Sequence, residues 1–193
     1  MATPLRLVLD TNVCLDLFVF GDAQCAALRE ALRTGAVQAV TDEACRAEWL
    51  AVLDYPQLAL DAARQAEAAA TYDALLHLPP VDRHGPLPSP QRKPGSSDFD
   101  ASMHESPGSS LRSSDEEAGT ASAPRLPRCR DPDDQKFLEL ARACGAQWLL
   151  SRDRELLRLA RRTRREHGFD IVTPQAWAQA QAGSAGAASA KPV

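Results

Sequence analysis

Leu5-Arg6-Leu7-Val8-Leu9-Asp10-Thr11-Asn12-Val13-Cys14-Leu15-Asp16 joins a nearly continuous apolar run to a carboxylate. Leu5 to Leu9 has the length and side chains of a strand buried on both faces, as in the middle of a parallel sheet. Asp10 follows at its carboxyl end, where open α/β sheets hold their ligands. The competing role for Asp10 is a turn cap, a common task for aspartate. What the rest of the chain brings to the same place decides between them.

Downstream, Gly21 and Asp22 open a helix with Cys25, Leu28 and Leu32 at helical spacing, and Gly35 ends it. Val37–Val40 reads as a second strand. Thr41 or Asp42 caps a helix with a stripe of Cys45, Trp49, Val52 and Leu53, and Glu48 lies beside that stripe. Tyr55-Pro56 stops it, and residues 57–76 read as a longer Ala-rich helix. From 81 to 127 Pro, Ser, Gly and charged residues dominate, too few apolar groups to offset ordering entropy, so a disordered insertion is expected there.

The pattern resumes at Cys129-Arg130-Asp131-Pro132-Asp133-Asp134. Asp131 suits an N-cap, Pro132 the first helical position, and the acids suit the positive helix end. Phe137, Leu138, Ala141 and Cys144 form the buried stripe, and Asp134 falls one turn before Leu138. Trp148–Ser151 is another apolar strand, followed by Asp153. A helix loaded with Arg152, Arg154, Arg158, Arg161, Arg162, Arg164 and Arg165 comes next, read either as a solubilising face or as a phosphate-binding one. Ile171-Val172 is a last strand, Thr173-Pro174 starts a helix around Trp177, and residues 183–193 are expected to form a disordered tail.

Strands alternating with helices predict a three-layer α/β/α, Rossmann-like domain with a central parallel sheet, a single domain over residues 1–182. The length of 193 residues and a hydrophobic share of 44% suit one soluble core. No apolar run approaches membrane-spanning length and no signal segment opens the chain, so no membrane partner and a cytoplasmic location are expected. Five cysteines without paired spacing read as small core residues rather than a zinc site. A net charge of −4 argues against a nucleic-acid coat but leaves room for a local groove.

Asp10 and Asp153 at strand ends, Asp134 and Asp131 at a helix start, and Glu48 within a helix converge if the strands share one carboxyl edge. Clustered carboxylates repel and raise one another's pKa, so a divalent cation is their natural occupant. Oxygen-only ligands favour Mg²⁺ or Mn²⁺ over zinc. Such an ion takes phosphate oxygens as further ligands and lowers the pKa of water, which suits phosphodiester hydrolysis.

Leu9-Asp10-Thr11-Asn12-Val13, the Glu48 helix, Arg130-Asp131-Pro132-Asp133-Asp134-Gln135-Lys136-Phe137-Leu138 and Leu150-Ser151-Arg152-Asp153-Arg154-Glu155-Leu156-Leu157 together resemble the PIN domain, a family of metal-dependent ribonucleases. The likeness is greatest to its toxin branch, the VapC-like ribonucleases, and spans the chain except 81–127 and the tail. It implies that Asp10, Glu48, Asp134 and Asp153 coordinate Mg²⁺ or Mn²⁺ for catalysis, with Asp131 as a fifth ligand. Asp134 is preferred to Asp133 because it lies seven residues before Ala141, as the family's metal acid precedes its helix alanine. Asn12 and Ser151 would orient the acids beside them. The resemblance further implies an endoribonuclease acting on RNA, the toxin of a type II pair with a small cognate antitoxin, and a homodimer. Arg158, Arg161 and Arg162 are the expected RNA contacts.

Two rivals are weighed against this. A haloacid-dehalogenase-like phosphatase needs a second acid two positions after its nucleophile, where this chain has Asn12, and a lysine near the site. A catalytically silent PIN-like module that binds RNA or protein would be favoured by loss of an acid, and all four are present.

Overall fold

The computed structural model describes residues 5–78 and 124–188. Of the expected insertion, residues 81–123 lie outside the described residues, as do 189–193 of the expected tail.

Five parallel strands form the sheet: β1 (Leu5–Leu9), β2 (Val37–Val40), β3 (Leu76–His77), β4 (Trp148–Leu150) and β5 (Asp170–Val172), in the order β3-β2-β1-β4-β5. β1 is the middle strand, with Leu7 in register with Ala39 on one side and Trp148 on the other. Its alternation sends Leu7 and Leu9 into one core and Val8 into another. The three-layer expectation is therefore met, with an apolar layer on each face.

The helices are α1 (Thr11–Leu15), α2 (Ala26–Arg33), α3 (Glu43–Leu53), α4 (Ala62–Leu75), α5 (Gln135–Ala143), α6 (Arg154–Arg158), α7 (Ala160–His167) and α8 (Pro174–Ala188). Leu28, Trp49, Tyr72 and Trp177 fill one core with the Leu7 face of the sheet. Phe137, Leu138, Leu149, Leu156 and Ile171 fill the other. α3 contributes to both, Trp49 and Leu53 to the first and Cys45 to the second. α1 runs on into a wider π turn, Asp16–Phe20, which Gly21 ends at a left-handed φ of 62°. Phe18 of that turn packs edge-on against Trp49 and Tyr72, whose rings stack 5.5 Å apart. The cluster locks α3 and α4 beside the end of β1.

Several boundaries differ from those read in the sequence. α4 begins at Ala62, because Pro56–Leu58 forms a separate 3₁₀ turn and Ala59 takes a left-handed φ of 48°. Leu76-His77 leaves the helix to pair with Ala39-Val40 as an edge strand. The described chain resumes at Pro124, and the last residues of the expected insertion are packed: Pro127 is buried, Leu126 packs on the second core and the Pro124 carbonyl accepts from Arg142 at 3.1 Å. The arginine-rich segment is two helices with a break at Leu159. α8 continues past Gly183 to Ala188, in keeping with the high helix propensity of its alanines.

Candidate metal centre

β1 leads to α1 on one side and β4 to α6 on the other, so their carboxyl ends flank the switch point of the sheet. Asp10, the residue after β1, is 4% exposed. Its backbone N–H donates to Leu150 O across the strands at 3.0 Å. Its Oδ2 accepts from Ser151 Oγ at 2.5 Å and Asn12 Nδ2 at 2.6 Å. Asn12 Oδ1 in turn accepts from the Arg152 backbone N–H at 3.2 Å. Burial raises the Asp10 carboxyl above its usual range; the Ser151 and Asn12 hydrogen bonds oppose the rise and the charge of Glu48 adds to it.

Asp153, after β4, caps α6: Oδ1 accepts from Glu155 N–H at 2.7 Å and Leu156 N–H at 3.1 Å. Its own N–H donates to Ser151 Oγ at 2.9 Å, so one buried hydroxyl serves both strand-end acids. Glu48 stands on α3 next to the fully buried Trp49 and overhangs the same edge. Thr11 Oγ1 donates to Glu48 Oε1 at 2.6 Å, and Lys136 forms an ion pair with Oε2.

The Asp131–Asp134 run does not cap α5 in the way its spelling suggests. Asp131 Oδ1 accepts from Asp133 N–H at 2.9 Å, which closes a turn, and the helix starts only at Gln135. Asp134 holds the N-cap position with its side chain making no capping bond. Asp133 is exposed, whereas Asp134 is half-buried and close enough to feel the other acids. Its carboxyl is pushed up to about 6, first by burial and then by the charges of Asp10, Asp131, Asp153 and Glu48. The Cys129 thiol donates to its Oδ2, with Sγ 3.9 Å away.

All five acids thus meet at one edge of the sheet. Among the described residues, no three Asp, Glu, His or Cys side chains form a ready-made metal-binding group. The donor chemistry nonetheless fits a hard divalent ion: every donor is a carboxylate oxygen, and the charges of the other acids add to burial in raising Asp134. An open cleft of about 420 Å³, lined by Arg130, Asp131, Pro132, Asp153 and Glu155, borders the acids.

The arginines divide into unlike groups. Arg152 leaves the helix and ties Asp16 at 2.7 Å and Asp22 at 2.6 Å, bracing the π turn against the β4 end. Arg158 pairs with Glu155 at 2.5 Å and Arg162 with Glu166 at 2.8 Å. Arg161 has no ion pair among the described residues and lines a surface hollow with Arg162 and Arg165. Thr11 and Lys136 escape a reading of the sequence as partners of Glu48. The only sign is position, Thr11 beside Asp10 and Lys136 two residues after Asp134.

No curated protein and no solved structure matches the chain. Residues 6–155 match the PIN domain, a family whose members are generally metal-dependent nucleases, and that stretch contains all five acids. The chain belongs to the PIN domain family.

Proposed function

We propose that this protein is an endoribonuclease that hydrolyses RNA phosphodiester bonds with Mg²⁺ or Mn²⁺, held by Asp10, Glu48, Asp134 and Asp153 with Asp131 beside them. One observation carries the reading: carboxylates from β1, β4, α3 and the α5 start crowd around Asp134, and burial together with their charges raises it to about 6. An all-carboxylate cluster of that kind is stabilised by a hard dication, which when bound polarises phosphate oxygens and acidifies water.

The chain's own residues supply position. Ser151 and Asn12 fix the plane of the Asp10 carboxylate, and the helix start at Glu155 and Leu156 fixes Asp153. The cleft beside Asp131 and Asp153 offers room for a backbone phosphate, with the 81%-exposed Arg130 at its rim. Arg161 extends the basic surface, joined by Arg158 and Arg162 when RNA displaces their carboxylate partners. No side chain forms a covalent intermediate.

The same reading makes the protein the VapC-like toxin of a type II pair, restrained by a small antitoxin and working as a dimer in the cytoplasm. No helix among the described residues is long and apolar enough to cross a membrane.

The test is cleavage of structured and unstructured RNAs across a Mn²⁺ titration. Asp10→Asn should abolish cleavage while leaving the circular dichroism spectrum unchanged. A wild type that cuts no RNA with any divalent metal would hand the assignment to a silent PIN-like binding module. Growth arrest on expression, relieved by a short neighbouring reading frame, tests the toxin role separately.

A further inference from the structure

Lys136 lies in the first turn of α5 with its side chain 22% exposed, and its ammonium pairs with Glu48 Oε2. The nitrogen also donates to Asp133 O at 2.5 Å and sits 5.1 Å from the Phe137 ring centre. Three contacts therefore hold one ammonium in one place. Both oxygens of Glu48 are engaged in consequence, with Thr11 on Oε1 and Lys136 on Oε2. Among the described residues, no other Lys or Arg side chain pairs with Asp10, Glu48, Asp131, Asp134 or Asp153. The cluster's internal cation is thus placed entirely on one of its acids.

We propose that Lys136 is a tethered competitor for the divalent cation at Glu48. The ammonium is seated on one Glu48 oxygen, so an ion drawn to that carboxylate meets a like charge and the two cations compete for it. This rests on the reading of Glu48 as a metal ligand. A doubly charged ion facing several carboxylates outweighs one partly exposed ion pair, so the exchange runs toward metal at sufficient concentration. The competitor sets how much metal is sufficient. A lysine that only steadied Glu48 would do the reverse, since its loss would leave the ligand loose and weaken metal binding.

The experiment is calorimetric titration of the full chain with Mn²⁺ in the absence of RNA. Lys136→Met keeps the stem over Phe137 and removes the charge; it should bind Mn²⁺ about three- to fivefold tighter than wild type. Glu48→Gln should bind more weakly, and adding Lys136→Met to it should bring no further tightening. Unchanged or weaker Mn²⁺ binding by a folded Lys136→Met chain overturns the proposal, as does equal tightening in the Glu48→Gln background, which would mark a diffuse charge effect. Should Lys136→Met fail to fold, Lys136→Gln gives the same readout. If Glu48→Gln and Asp10→Asn both leave Mn²⁺ binding untouched, the metal-site reading itself falls and takes this inference with it. If they weaken it and Lys136→Met does not tighten it, only this inference falls.

Discussion

Ser151 Oγ donates to Asp10 Oδ2 at 2.5 Å and at the same time accepts from the Asp153 N–H at 2.9 Å. The hydroxyl is fully buried, so nothing else can take over either bond. Ser151→Ala leaves a buried carboxylate short of a donor and a buried N–H short of an acceptor. The expected loss is about 1–3 kcal/mol of stability in urea denaturation. Mn²⁺ affinity should fall roughly 10–100-fold, the usual effect of removing a ligand's supporting hydrogen bond. Unchanged affinity by calorimetry would show that the strand-end acids do not act as a unit.

Asp134 makes the metal-free protein sensitive to pH. Its carboxyl rises from 3.8 to about 6 on folding, so the folded chain holds this proton more tightly than the unfolded one. Below about pH 4 the contribution is fully stabilising, and it is lost as pH climbs through 6. Asp134→Asn should therefore raise the melting temperature at pH 8, by roughly 2–4 °C, and lose that advantage by pH 4. Scanning calorimetry of both chains in EDTA reads it directly. A gap that persists at pH 4 would contradict the assignment.

On the arginine-rich surface, Glu166 accepts from Arg162 and Arg165, which together hold its carboxyl down at about 2. Those arginines are spoken for, whereas Arg161 has no ion pair among the described residues. Arg161→Gln alone should lower the slope of log affinity against log salt by about 0.7, the value of one single-strand phosphate contact. Glu166→Gln should steepen it instead. Fluorescence anisotropy with a short RNA in EDTA measures both, and two flat results would return this helix to a solubilising role.

Tyr72 tests the scaffold apart from the chemistry. Its hydroxyl meets Thr41 Oγ1 at 2.5 Å in the core, beneath the Trp49 stack. Tyr72→Phe should cost about 0.5–1.5 kcal/mol and leave Mn²⁺ affinity intact. Trp49→Ala should cost about 3–5 kcal/mol and weaken metal binding too, because Glu48 rides on the same helix turn. Denaturant melts paired with metal titration separate the two effects.

The main strands were legible in the residues themselves: Leu5–Leu9 read as buried and is so from Leu7 to Leu9, while Val37–Val40 and Trp148–Ser151 read as short strands and formed as Val37–Val40 and Trp148–Leu150. Leu76-His77 was not legible, because a two-residue edge strand carries no alternation and is spelled like a helix end. Asp131-Pro132 imitated a helix start, and the Asp133 N–H bond to Asp131 shows why local spelling misleads: a turn satisfies the same donors. The kinds of acid in the candidate site and their places at strand and helix ends were legible too. The Glu48–Lys136 pair was not, since it joins residues far apart in sequence through the packing of α3 against α5.

The sheet order has a mechanical outcome. Asp10 and Ser151 are anchored to the central strand and one of the two beside it, whose amides should resist hydrogen exchange until the whole molecule opens. Glu48, Lys136 and Asp134 belong instead to helices α3 and α5 and the turn that opens α5, packed over the sheet. Whatever the molecule grips is thus seated on the strands and walled in by the helices, two supports built from different parts of the frame.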